Sequence, residues 1–159
     1  MEKLDVEYLA ELVVKAQAGG SNAFAELYTA TYQNTYAYAY KLLQNEQKAR
    51  RAIKTTYSRA LREINKLKEP ELVVSWLFHL DFEVCQDSDN SLIIDIKNYR
   101  LAQLSKNLPM TESQVLIMRY LQSYSIGEIG KMLCLDRLTV MRNIKSGKVH
   151  LKSLLGEKC

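Results

Sequence analysis

The fold is decided by residues 125–148, which read SIGEIGKMLCLDRLTVMRNIKSGK. Ser125 is followed three positions later by Glu128, and this capping-box spacing predicts a short helix over 126–133. After a break of three residues, Asp136 can cap a longer helix, because its side chain accepts hydrogen bonds from the first free backbone N–H groups. The stretch therefore predicts two helices joined by a tight turn.

Two helices of this kind form a helix-turn-helix when the second is basic and amphipathic, and the second helix can then enter the major groove of DNA. Gly130 lies where the two backbones would cross closely, so a small residue is expected there. Cys134 stands in the turn, at a position where glycine is common because a positive φ is often needed. Val140 and Ile144 are expected to anchor the second helix in the core.

The polar residues of the second helix are expected to point outward and to bind DNA. They are Arg137, Thr139, Arg142, Asn143, Lys145 and Lys148. Arginine and asparagine can make paired hydrogen bonds to guanine and adenine edges, whereas threonine and lysine suit phosphates. A net charge of +5 over residues 131–159 also fits a polyanion. We therefore predict a DNA-binding surface on this helix.

The rest of the chain reads as helices, with no alternating strand pattern and no internal repeat. Helices are predicted over 5–17, 22–43 and 46–67, from Pro70 onward, before Pro109, and from a second capping box at Thr111–Gln114. Residues 87–91, DSDNS, are polar and turn-forming, as in a linker. The prediction is an all-α protein with two small helical lobes: residues 1–86, the linker 87–91, and a helix-turn-helix lobe over 92–159.

The third predicted helix is strongly basic, and residues 41–68 carry a net charge of +7. If Ile53 and Tyr57 are buried, helical spacing places Lys48, Arg51 and Lys54 near one outer face. We predict that these three residues bind a partner. The following segment, 69–90, is acidic, with a net charge of −6.

Several functional classes are not expected. The histidines, His79 and His150, lie in different lobes and suggest neither a catalytic set nor a metal site, so we predict no enzyme activity, no metal and no cofactor. Three widely spaced cysteines and an N-terminus without a secretory pattern predict a reduced, cytoplasmic protein, and no apolar run is long enough to insert into a membrane. A tyrosine stripe could stack unpaired bases, but its helical spacing favours core packing. The stripe comprises Tyr32, Tyr36 and Tyr40.

Six stretches along the chain form a recognisable series: AGGSNAFAELY at 18–28, residues 45–60, the pair Trp76–Leu77, LPMTESQVL at 108–116, SIGEIG at 125–130 and LTVMR at 138–142. With these stretches the chain resembles bacterial RNA polymerase sigma factors of the small extracytoplasmic-function type. The similarity covers nearly the whole chain in family order, without an intervening third region.

The resemblance implies that region two binds the polymerase clamp and melts the minus-ten element, while region four reads the minus-thirty-five element. The implied partners are promoter DNA, core RNA polymerase and an anti-sigma protein. Where the family carries acidic residues and a glutamine on its third helix, this chain has Lys48, Arg50, Arg51 and Lys54. Two alternatives therefore stay open: a sigma-derived DNA-binding regulator without tight polymerase binding, and an adaptor whose basic helix takes an acidic protein.

Overall fold

A computed structural model describes residues 3–88, 105–154 and 156. These residues form seven α-helices and no strand, so the all-α fold class is confirmed. Contacts divide the chain into two units, Met1–Leu92 and Ile93–Cys159. Of the predicted linker, residues 87–88 are the last of a helix and 89–91 lie outside the described residues, so the linker stays a prediction.

The first unit is built from four helices joined by short turns. They are α1 (Val6–Gln17), α2 (Ser21–Leu43), α3 (Glu46–Glu63) and α4 (Val73–Ser88). The third helix is shorter than predicted, because the chain tightens into a 3₁₀ turn at Ile64–Lys66. The Gln17 amide donates to the carbonyl oxygens of Ile64 and Leu67, 2.8 Å away in each case. In a longer helix, these carbonyl oxygens would accept backbone hydrogen bonds instead.

The helix α4 forms the centre of this unit and packs against α1, α2 and α3. From residue 73 to residue 86, only His79 and Glu83 are not buried. Between α2 and α3, the Tyr57 hydroxyl lies 2.6 Å from the Thr31 hydroxyl and 2.9 Å from that of Thr35. Burial raises the pKa of Tyr57 to about 12, so this polar cross-link keeps its proton.

The second unit contains three described helices. They are α5 (Met110–Leu116), which continues as a π-helical turn over Ile117–Leu121, α6 (Ile126–Leu133) and α7 (Arg137–Leu154). A β-carbon placed on Gly147 of α7 would lie 2.7 Å from Cδ1 of Leu116, so the two helices approach closely at this glycine. None of the described helices is long and apolar enough to cross a membrane.

The capping box expected at Thr111–Gln114 is wrong. The helix begins at Met110 with Pro109 before it, so Thr111 lies inside the first turn. Glu112 turns inward instead: one carboxylate oxygen accepts from the Ser146 hydroxyl at 2.6 Å, and the other lies 2.6 Å from Nδ1 of His150. Glu112, which lies between the two expected capping residues, therefore ties α5 to α7.

Candidate nucleic-acid interface

The two helices of the helix-turn-helix are capped at their N-terminal ends as the sequence predicts. The backbone N–H of Ser125 donates to the Glu128 carboxylate at 3.0 Å, and the N–H of Glu128 donates to the Ser125 hydroxyl at 3.1 Å. At the start of α7, the N–H of Thr139 donates to the Asp136 carboxylate at 2.7 Å. This hydrogen bond lowers the pKa of Asp136, so the cap stays ionised at neutral pH.

The turn between α6 and α7 depends on a close backbone approach. A β-carbon placed on Gly130 would lie 2.7 Å from the carbonyl oxygen of Leu135, while the N–H of Leu135 donates to the carbonyl of Gly130 at 2.8 Å. Cys134 adopts a left-handed conformation with φ of 58°. The small residue and the positive φ that the sequence indicated are both present, and the predicted helix-turn-helix geometry is confirmed.

The six predicted DNA-binding residues lie on three sides of α7. Val140 and Gly147 are buried and mark the inner side, and about 100° of rotation per residue places Arg142 and Lys145 opposite them. Arg137 and Lys148 are exposed on one flank, and Thr139 and Asn143 are half-buried on the other.

The two flanks differ in what they can offer to DNA. Nζ of Lys148 lies 5.3 Å from the centre of the Tyr120 ring, close enough for a cation–π contact. The Asn143 amide donates to the Thr139 carbonyl at 2.8 Å, so one of its hydrogen-bonding groups already serves the helix backbone. The outermost face of α7 is therefore better placed to contact bases than the Thr139 flank.

Sequence reasoning missed two residues on that outermost face. The side chains of Leu138 and Met141 are 64% and 45% exposed, and they share a stripe with Arg142 and Lys145 at positions i, i+3, i+4 and i+7. Apolar residues of an amphipathic helix are assigned to the core by default. Their phase relative to the buried Val140 was the signal that could have identified them.

In the first unit, the three predicted partner-binding residues are all exposed but do not line one groove. Lys48 and Arg51 line a groove between α3 and α4 together with Ala52, Thr55, Arg59, Val84 and Asp87. Lys54 is not among its lining residues. Arg59, which the prediction did not include, donates to Glu63 at 2.8 Å and to Glu83 at 3.2 Å. The groove is basic on its α3 side.

The acidic character of segment 69–90 is weaker at the surface than the sequence suggests. Asp81 is fully buried, with one carboxylate oxygen 3.4 Å from the Thr56 hydroxyl and 3.7 Å from the Cys85 sulfur. Burial raises the pKa of Asp81 well above its ordinary value. Glu83 pairs with Arg59. Among the described carboxylates of this segment, Glu69, Glu71 and Asp87 are the exposed ones.

The tyrosine stripe lies outside the core, contrary to the expectation of core packing. The rings of Tyr32 and Tyr36 stack with centres 5.9 Å apart, and those of Tyr36 and Tyr40 with centres 6.3 Å apart. Tyr28 extends this ladder and contacts the ring of Tyr57 edge-on at 4.6 Å. The ladder is partly exposed along α2 because its i, i+4 spacing follows the flank of the helix.

No protein-family model matches the chain, and no curated protein matches it. Among solved structures it is similar to CnrH in complex with the cytosolic domain of CnrY, with 18% identity, 94% of this chain and 97% of the other covered, and a TM-score of 0.51. It is also similar to a chain of the RsbN–BldN complex, with 22% identity, coverage of 89% and 98%, and a TM-score of 0.46.

CnrH is a sigma factor of the extracytoplasmic-function type, and it was solved in complex with the cytosolic domain of CnrY. The match to CnrH spans nearly the whole of both chains. The chain therefore has the fold of an extracytoplasmic-function sigma factor, and the resemblance inferred from its sequence is confirmed at the level of the fold.

Proposed function

We propose that this chain is a sigma factor, which directs RNA polymerase to promoters and binds promoter DNA through α7. The observation that carries the proposal is the capped helix-turn-helix, whose second helix presents cations on its outer side. The proposed role is binding without catalysis, carried out in the cytoplasm.

In this proposal, α7 divides its contacts between bases and phosphates. Arg142 and Lys145 lie opposite the buried side, where a helix in the major groove meets base edges. Arg137 and Lys148 lie on a flank, where they can neutralise phosphates. Thr139 and Asn143 belong to the same predicted surface, but as half-buried residues they are assigned a smaller share of the contacts.

The first unit is proposed to bind core RNA polymerase through α3 and the neighbouring groove. Lys48 and Arg51 favour an acidic protein surface, because opposite charges speed association and favour the correct partner. The same groove suits an acidic segment of an anti-sigma protein. The sigma factors that resemble this chain were solved as complexes with such proteins.

The test is a pull-down of the full chain with core polymerase from its own cell, followed by transcription from promoters that the complex selects. We expect binding and promoter-dependent transcripts. Replacing Arg142 and Lys145 by alanine should abolish the transcripts and leave polymerase binding intact. Lys15→Ala is the matched control, because Lys15 is an exposed cation on α1, in the first unit.

The basic groove also favours a second candidate, an adaptor or DNA-binding regulator that does not hold polymerase tightly. Under that alternative, the chain binds duplex DNA or an acidic protein but fails to retain core polymerase. Polymerase binding together with promoter-dependent transcription would exclude it. Absence of both would exclude the sigma factor proposal.

A further inference from the structure

The outermost face of α7 carries two apolar side chains that have no part in the core. Leu138 lies in the first turn and Met141 in the second, and both are more than two-fifths exposed. Val140, between them in sequence, is fully buried and makes the contact with α6 near Gly130. The packing of α7 therefore does not require Leu138 or Met141.

The position of this pair limits what it can meet. In a helix-turn-helix, the first turns of the second helix reach the base edges. Leu138 and Met141 share their stripe with Arg142 and Lys145, and Arg137 and Lys148 flank the stripe on one side. The cations complement the phosphates of DNA, and the apolar pair between them complements an apolar group inside the groove. In the major groove, that group is the C5 methyl of thymine.

We propose that Leu138 and Met141 contact thymine methyl groups in the major groove and so set the base preference next to the base that Arg142 contacts. This inference rests on the proposed function, because it requires α7 to bind duplex DNA. It adds a specific readout: the protein distinguishes thymine from uracil, which pairs identically but lacks the methyl group. A protein partner covering Leu138 and Met141 would not make that distinction.

The experiment uses the full chain, alone and bound to core polymerase, with duplex DNA selected for tight binding. Each thymine is replaced in turn by deoxyuridine, and affinity is measured at fixed salt. We expect uracil at one or two positions to weaken binding about three- to fivefold, the effect of removing one buried methyl group. In Leu138→Ala or Met141→Ala, the penalty at the matching position should disappear.

Val149→Ala is the matched control. Val149 is 60% exposed on the same stripe, but it lies eleven residues beyond Leu138, about 16 Å further along the helix. This variant should keep the full uracil penalty. DNA binding without a uracil penalty at any position would overturn the inference and leave the proposed function standing. An equal loss for thymine and uracil DNA in Leu138→Ala would also overturn it, and no duplex binding at all would overturn both.

Discussion

Gly130 and Leu135 are in backbone contact, because a β-carbon on the glycine would lie 2.7 Å from the carbonyl oxygen of the leucine. The atom that would be displaced belongs to the backbone of the turn, which cannot rotate away as a side chain would. The α6–α7 crossing therefore tolerates only glycine at this position without a shift.

Gly130→Ala should destabilise the second unit by about 1–3 kcal/mol, the usual cost of overpacking. It should also weaken DNA binding, because α7 moves relative to α6. Gly127→Ala is the control within the same helix: its β-carbon would meet only the Ser125 hydroxyl, at 3.9 Å, and alanine favours helix. Chemical denaturation of the full chain measures the free energy of unfolding of the two variants. Equal stability of the two variants would contradict the contact.

Asp81→Asn should stabilise the protein at neutral pH by roughly 1–3 kcal/mol, because it removes a buried acid whose ionisation burial disfavours. A raised folded-state pKa gives stability that is fully present below the ordinary aspartate value of 3.8 and is lost as pH rises through the raised value. The gain from asparagine should therefore grow with pH over this window.

The measurement is the free energy of unfolding of both proteins from about pH 4 to about pH 8. Asp87→Asn is the control, since Asp87 is exposed and lies less than two turns further along α4. That variant should stay within about 0.5 kcal/mol of the natural protein at every pH. A constant difference between Asp81→Asn and the natural protein would show that Asp81 does not titrate in this window.

The helix-turn-helix could be predicted because its determinants are local. A cap at Ser125 or Asp136 is read from residues three positions apart, and Gly130 and Cys134 act on the backbone of the same turn. Such features depend little on the rest of the molecule. For this reason the predicted caps and turn within residues 125–148 needed no correction.

The features that sequence reasoning missed depend on distant partners. Thr111 and Gln114 have the spacing of a capping box, but the helix begins at Met110. Glu112, between them, contacts the side chains of Ser146 and His150 on α7. From the sequence alone, Asp81 is expected to be a surface charge, but in the fold it is buried against Thr56 of α3. Leu138 is apolar, as core residues usually are, but Val140 occupies the inner side of α7 at this point and Leu138 is exposed.

Lys48→Glu with Arg51→Glu should weaken binding to core polymerase from the same cell about tenfold or more, because two attractive charges become repulsive. Lys54→Glu alone should have a smaller effect, since Lys54 is exposed but does not line the α3–α4 groove. Titration of labelled full chain with core polymerase measures both affinities. Tighter binding of the double variant would exclude the groove as a docking surface for an acidic partner.

Duplex DNA binding by the full chain should weaken steeply with salt, and two cations of α7 should contribute to it differently. Arg142→Ala should cost about 1–3 kcal/mol and relax base preference, because Arg142 lies on the outermost face. Lys148→Ala should weaken binding equally for all sequences and lower the slope of log affinity against log salt by about one, since a flank lysine over Tyr120 suits a phosphate. Affinities at several salt concentrations, on selected and scrambled duplexes, separate the two effects. A change of base preference in Lys148→Ala, or an unchanged one in Arg142→Ala, would reverse the assignment of the two faces.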